Sequence, residues 1–285
     1  MKNKVIVILG PTGVGKTRLS IELAKKFNGE IINADSMQVY KGLNIGTAKV
    51  TEEEKEGIPH HLFDICELNE DYNVYLYQKH ARLKIKEIFN KNKTPILVGG
   101  TGLYIKAALY NYNFIKEDFV NYDHLTNKEI YTKIQNKNIH INNRQRLLRQ
   151  FQKEQNDVEN NKANELLYDA IFVGLTTPRD NLYKIIDNRV DKMINNGLIE
   201  EVEALYNKNI KTRSINTAIG YKELYKYFDQ TLSLNESIEL IQKNSRNYAK
   251  RQYTFFNNQL PVIWFDVNYN HFEETVNAII NIIKE

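Results

Sequence analysis

The run KVIVILGPTGVGKTRLS, residues 4 to 20, constrains the fold more than any other part of the chain. Apolar residues lead into a glycine-rich turn, then Lys16, Thr17 and what reads as the first turn of a helix. The spacing Gly10-x-x-x-x-Gly15-Lys16-Thr17 is that of a phosphate-binding loop, in which successive backbone N–H groups and a helix N-terminus surround an anion. A strand before the loop and a helix after it distinguish it from an ordinary glycine-rich turn. Lys16 would bring a full charge to the outer phosphate oxygens, and the Thr17 hydroxyl is of the right type to ligate Mg²⁺. Gly10, Pro11, Thr12, Gly13, Val14 and Gly15 complete the candidate diphosphate-binding set.

Residues 4–9, 30–34, 95–98 and 170–175 are short apolar runs that suit strands covered on both faces. Between them, Val74, Tyr77, Ala81, Ile85 and Ile88 recur at helical spacing. Alternating strands and helices imply crossover connections, so the expected fold class is α/β: a P-loop NTPase-like parallel sheet flanked by helices. From about Asn113 to Asn164 the chain turns polar and rich in Asn and Lys, without a clear strand. It reads as a small, mostly helical insert (113–164) between two parts of a catalytic core, 1–112 and 165–285. Further helices are expected after Leu182 and over Asn235 to Phe256, and VIWFDV suits a late strand. Cys66 is the only cysteine, which excludes an internal disulfide and a cysteine-rich metal site. No apolar run approaches the ~18 residues of a membrane span, and the first residues do not resemble a signal peptide, so a cytoplasmic protein is expected. A net charge of +4 is compatible with nucleic acid but leaves the partner open.

A hydrolytic NTPase also needs an acidic residue ending a second strand. Here the run 95–98 ends in Gly99-Gly100-Thr101-Gly102 and the run 170–175 in Thr176-Thr177-Pro178, leaving only Asp266 late in the chain. The loop therefore suits a diphosphate that is held rather than cleaved. Asp35 follows a strand and should emerge on the same edge as the phosphate loop. It could ligate Mg²⁺ through water, accept a hydrogen bond from a substrate amine, or simply cap the next turn. Arg189 borders the apolar stripe of its helix, where it could reach a diphosphate or pair with a neighbouring Asp. Basic and aromatic residues interleave in RQRLLR and in SRNYAKRQYTFF, which suits phosphate contacts and base stacking as well as an ordinary solvated helix face. His60 and His61 have no third ligand at a convincing spacing and are read as structural.

GPTGVGKT, ADSMQVYKGLNIGTAK, IPHHLFDI, LVGGTGLYIKAAL, IGYKEL and YAKRQYTFF occur in the order expected of tRNA dimethylallyltransferases, the IPP transferase family, which this chain resembles over about residues 5 to 257. The resemblance implies transfer of a dimethylallyl group from dimethylallyl diphosphate to N6 of adenosine 37 in tRNAs that read codons beginning with U. It implies Mg²⁺ as cofactor and tRNA as partner, and nothing in the sequence requires more than a monomer. It assigns the diphosphate to the loop with Lys16, Thr17 and Arg189, and the role of base to Asp35. Asp35, Ser36, Met37, Gln38 and Thr101 match tRNA-contacting positions. So do Gln145, Arg146, Leu147, Leu148 and Arg149, then Thr217, Ala218, Ile219, Gly220, Tyr221 and Lys222, and finally Arg246, Lys250 and Arg251.

The chain departs from the family pattern in places. The insert is cut down between Phe114 and Ile141, Ile185 stands where an Arg is expected, and Phe255 and Asn257 replace Trp and Arg. Neither the loop nor Asp35 is touched, so chemistry is expected to be safer than RNA affinity. Adenylate dimethylallyltransferase, a P-loop kinase for a small metabolite and a non-catalytic RNA-binding protein are the alternatives that the residues leave open.

Overall fold

A computed structural model describes residues 4–112, 114, 122, 124–155 and 165–285. The polar run 156–164 of the expected insert lies outside the described residues. The chain divides into two compact units, residues 1–110 with 166–285 and residues 111–165.

In the larger unit, β1 (Lys4–Leu9), β2 (Gly29–Asn33), β3 (His60–His61), β4 (Thr94–Val98), β5 (Asp169–Thr176) and β6 (Ile263–Asp266) form one sheet in the order β3-β2-β4-β1-β5-β6. Every pairing is parallel, with Ile6 opposite Ile96 and Ile171 across the centre. This is the expected α/β architecture. β3 was not anticipated: it is two residues long and joins the edge through a hydrogen bond from Ile31 N to Pro59 O, which no apolar run announces.

Because side chains alternate along a strand, Ile6 and Ile8 of β1 share one face, and Val5, Val7 and Leu9 take the other. All five are fully buried, so the sheet is covered on both faces. Ile6 and Ile8 pack in one cluster with Leu19 and Leu23 of α1 (Lys16–Phe27), Ile186 of α6 (Arg179–Asn195) and Ile279 and Ile283 of α11 (Phe272–Lys284). Helix α2 (Val74–Asn90) starts where the Asn73 side chain accepts from Leu76 N, and buries Tyr77, Ala81, Ile85 and Ile88 as their spacing requires. It packs on α3 (Gly102–Leu109), where Tyr77 and Tyr104 stack with ring centres 4.1 Å apart.

A second cluster joins the segment after β2 to helices α7 (Leu198–Asn207), α8 (Arg213–Thr217), α9 (Tyr221–Phe228) and α10 (Leu234–Gln259). Val39, Leu43, Leu198, Val202, Ile215, Tyr221 and Leu224 are its fully buried members. The smaller unit carries α4 (Asn127–Lys133), opened by a Thr126–Glu129 capping box, and α5 (Arg144–Gln155). Its own core is Ile130, Ile134, Leu147 and Phe151.

Candidate active site

Parallel strands bring every strand-to-helix turn to one edge, so the turns after β1, β2 and β4 meet at the carboxyl end of the sheet. They line a cavity of about 790 Å³ together with residues of α6, α8 and α10. Thr12, Gly13, Gly15, Lys16 and Thr17 enter from the loop after β1; Asp35, Ser36, Met37 and Gln38 follow β2. Gly99 and Gly100 follow β4, Arg189 belongs to α6, and Thr217 to Gly220 with Lys222 close another side.

The phosphate loop has the form its glycines require. Gly13 sits at φ +88°, and a Cβ there would lie 2.7 Å from Ile185 Cγ2, so only glycine fits beneath that side chain. Val14 is buried and anchors the loop in the core. Lys16 Nζ donates to the carbonyls of Gly10 (3.0 Å) and Pro11 (2.7 Å). Burial, and then the Arg189 guanidinium, bring the Lys16 ammonium down to about 7 against the opposing pull of Asp35. Burial also lowers Arg189, with Asp35 opposing. Two desolvated cations that feel the field of one carboxylate form a site short of negative charge. The Thr17 side chain is exposed at the start of α1.

Asp35 lies two residues beyond β2. Its Oδ1 accepts from Met37 N (2.8 Å) and Gln38 N (3.4 Å), so it caps the following turn and faces the cavity as well. The capping expected of an Asp before Ser is present, and it leaves the residue on the cavity wall. Ser36 N donates to Thr101 Oγ1 (3.1 Å), and Thr101 N donates to Ala34 O (3.0 Å), joining the turn after β4 to the turn after β2. Gly99 permits that approach, since a Cβ there would stand 2.2 Å from Ala34 O. Burial raises the Tyr248 phenol and Asp35 adds to the rise, while hydrogen bonds from Thr101 and Gln252 oppose it.

Other expected site residues fall into distinct settings. Arg251 and Tyr248 line the cavity, whereas Arg246 pairs with Asp187 and Lys250 stands over the Tyr183 ring. Tyr221 is fully buried and donates to Glu201 Oε1 (2.5 Å). In the smaller unit, Gln145, Arg146 and Arg149 are exposed on α5, Leu148 is half-buried, and Leu147 points into that unit's core. Sequence reasoning missed Glu201, whose carboxylate accepts from the N–H groups of Asn44, Ile45 and Gly46 and so fixes the loop bearing Thr47 and Ala48 of the cavity wall. Only the helical spacing of Leu198, Val202 and Leu205 hinted at its helix.

Comparison with known proteins places this geometry. The family model for IPP transferase matches residues 38–259. The chain belongs to the IPP transferase family. It is similar to the tRNA dimethylallyltransferase of Anoxybacillus flavithermus, 47% identical over 302 aligned residues that cover 100% of this chain and 97% of the relative. The corresponding protein of Bacillus subtilis is 45% identical, covering 93% and 91%. Among solved structures, a tRNA isopentenylpyrophosphate transferase from Staphylococcus epidermidis superposes with a TM-score of 0.78 at 39% identity, covering 99% of both chains. A eukaryotic dimethylallyltransferase acting on tRNA superposes with a TM-score of 0.83 at 28% identity, covering 98% of this chain and 78% of that one. The IPP transferase fold therefore accounts for the sheet, the helical second cluster and the cavity together.

Proposed function

We propose that this member of the IPP transferase family transfers a dimethylallyl group from dimethylallyl diphosphate to N6 of adenosine 37 in tRNAs that read codons beginning with U. The observation that carries the reading is the meeting, in one cavity, of a cation-rich phosphate loop and a carboxylate. The diphosphate would lie on the loop's N–H groups with Lys16 and Arg189 at its oxygens, and Ile186, Val190 and Met193 offer an apolar wall for the hydrocarbon. As the N6 lone pair bonds to the allylic carbon, the C–O pair leaves with the diphosphate and the N6 proton passes to Asp35. Charge grows on the departing oxygens, where Lys16 and Arg189 stabilise it more than in the ground state.

The donor set also suits Mg²⁺. Among the described residues no group of three or more His, Cys, Asp or Glu forms a protein cage. A magnesium ion bound chiefly by substrate phosphates needs few protein ligands, and the exposed Thr17 hydroxyl, with Asp35 through water, would supply them. When bound, the ion neutralises diphosphate charge.

An adenosine stacked in an anticodon loop has to leave the stack to reach Asp35. Ser36, Met37, Gln38, Thr217 to Gly220 and Lys222 line the cavity such a base would enter, and the exposed cations Lys250 and Arg251 of the larger unit and, separately, Arg146 and Arg149 of the smaller one suit backbone phosphates. We read the shortened insert as a further tRNA contact and the protein as a cytoplasmic monomer. No helix among the described residues is long and apolar enough to cross a membrane.

Nucleoside mass spectrometry after incubation with dimethylallyl diphosphate and Mg²⁺ tests the reading, with an anticodon stem-loop and AMP as rival acceptors. N6-(dimethylallyl)adenosine should form in the stem-loop. Asp35→Ala should keep donor affinity and slow transfer roughly 10²- to 10⁴-fold. Wild-type turnover by that variant would remove Asp35 as the base, and modification of AMP alone would move the activity to free nucleotides.

A further inference from the structure

Asn33 ends β2, and its side chain is 1% exposed. Its main chain already belongs to the sheet, opposite Val98 of β4. The side chain adds three hydrogen bonds, all to backbone groups of the two turns beyond the sheet. Oδ1 accepts from Asp35 N (2.9 Å), while Nδ2 donates to Asp35 O (3.1 Å) and to Leu62 O (3.0 Å).

The residue between them is held independently, since Ala34 N donates to Val98 O and Ala34 O accepts from Thr101 N. At Asp35 the ladder has ended. Among the described residues, both of its backbone polar groups are held by the Asn33 amide. The third bond ties this clamp to Leu62, which has a left-handed φ of +64°. With its backbone fixed, Asp35 turns Oδ1 onto Met37 N and Gln38 N, and its other oxygen has no hydrogen bond among the described residues.

We propose that Asn33 is a positioning residue for Asp35: its amide fixes both polar backbone groups of Asp35, so that the carboxylate is held with one oxygen committed to the turn and one free for the acceptor amine. The inference rests on the reading of Asp35 as the base. A buried amide that donates twice and accepts once matches this set of partners. Alanine supplies neither donor nor acceptor. Aspartate is nearly isosteric and keeps the acceptor for Asp35 N–H, but as a carboxylate it has no donor for the two carbonyls. Loss of the clamp releases Asp35 to swing, and misplacement of a reacting group by about 1 Å can cost up to ~10²-fold in rate.

The test compares Asn33→Ala, Asn33→Asp and Asp35→Ala in single-turnover and steady-state transfer to an anticodon stem-loop, with binding of an unreactive isoprenoid diphosphate and thermal unfolding measured alongside. Both Asn33 variants should lose roughly 10- to 100-fold in kcat and in the single-turnover rate per folded molecule, with KM for RNA and donor affinity unchanged. Should the alanine variant fail to fold, the near-isosteric aspartate variant decides. Wild-type kcat in a folded Asn33 variant, or a loss confined to KM, overturns the inference even if Asp35→Ala is inactive. Full turnover by Asp35→Ala removes the base itself, and the role of Asn33 falls with it.

Discussion

Strand β2 has a buried charge cluster near each end, and the two clusters are built on opposite principles. Near its start, Glu30 is 1% exposed and accepts from Lys93 Nζ (2.8 Å), Lys91 Nζ (3.2 Å) and His61 Nε2 (2.7 Å). Burial alone would raise the Glu30 carboxyl, but hydrogen bonds from Lys93, His61 and Lys91 outweigh it and bring the group to about 2. Beyond its end, Lys16 and Arg189 share one half-buried carboxylate, and burial pushes both cations below their ordinary values. A carboxylate surrounded by donors is satisfied and serves the fold. Cations desolvated beside an open cavity, with too few anions, gain most when a ligand supplies the missing charge.

The sharpest way to break the contrast is to remove the central cation. Lys16→Ala should lower kcat/KM for prenyl transfer by about 10³-fold, ~4 kcal/mol of transition-state stabilisation, as for loss of one charge-stabilising donor. Steady-state transfer to an anticodon stem-loop measures it. A loss below about tenfold would mean that the loop backbone and Arg189 suffice, and that Lys16 is as structural as Lys93.

The Glu30 cluster should answer in stability instead. A carboxyl whose folded value lies below its unfolded one, near 4.5, stabilises the fold above that pH and loses the contribution as pH falls through about 2. The linkage is on the order of 3 kcal/mol, and solvation of the half-exposed Lys91 reduces it to about 2. Urea unfolding of Glu30→Gln should show that deficit at pH 7 and a closing gap towards pH 2, with turnover per folded molecule unchanged. A turnover defect without a stability deficit would erase the distinction between the two clusters.

Which parts of these clusters the sequence announces follows from what each kind of pattern reports. The loop Gly10 to Thr17 is legible because phosphate binding needs backbone N–H groups at set positions, and glycine spacing records that need. β1, β4 and β5 are legible because strands covered on both faces are continuous apolar runs. Asp35 could be placed on the correct edge from strand polarity alone, but not its clamp, because Asn33 looks like the polar end of any strand. Glu201 and Tyr221 meet Gly46 from far along the chain, 155 residues separating Glu201 from it, and no local pattern encodes such a meeting. The same limit applies to SRNYAKRQYTFF: composition marked it as basic and aromatic, yet only the packing of α10 separates Arg251, on the cavity, from Arg246, paired with Asp187. Periodicity reports that a face is buried and says nothing of the partner that covers it.

The smallest effect expected is proton linkage, and it probes the difference between the clusters directly. Burial and the Arg189 guanidinium bring the Lys16 ammonium down to about 7 in the empty cavity, so its neutral form gains population as pH rises above that. A bound diphosphate favours the ammonium and raises that value, so binding above pH 7 takes up a proton. Affinity for an unreactive isoprenoid diphosphate should therefore fall about tenfold per pH unit above 7, ~1.4 kcal/mol each, until the value in the complex is reached. Calorimetry at pH 8 in two buffers of different ionisation enthalpy should register an uptake approaching one proton, and Lys16→Met should abolish it. Arg189 stays charged throughout this range and cannot supply the signal. Zero uptake by the wild type would mean that Lys16 is already protonated in the empty cavity, as satisfied by the Gly10 and Pro11 carbonyls as Glu30 is by its lysines, and the charge deficit assigned to this end of β2 would not exist.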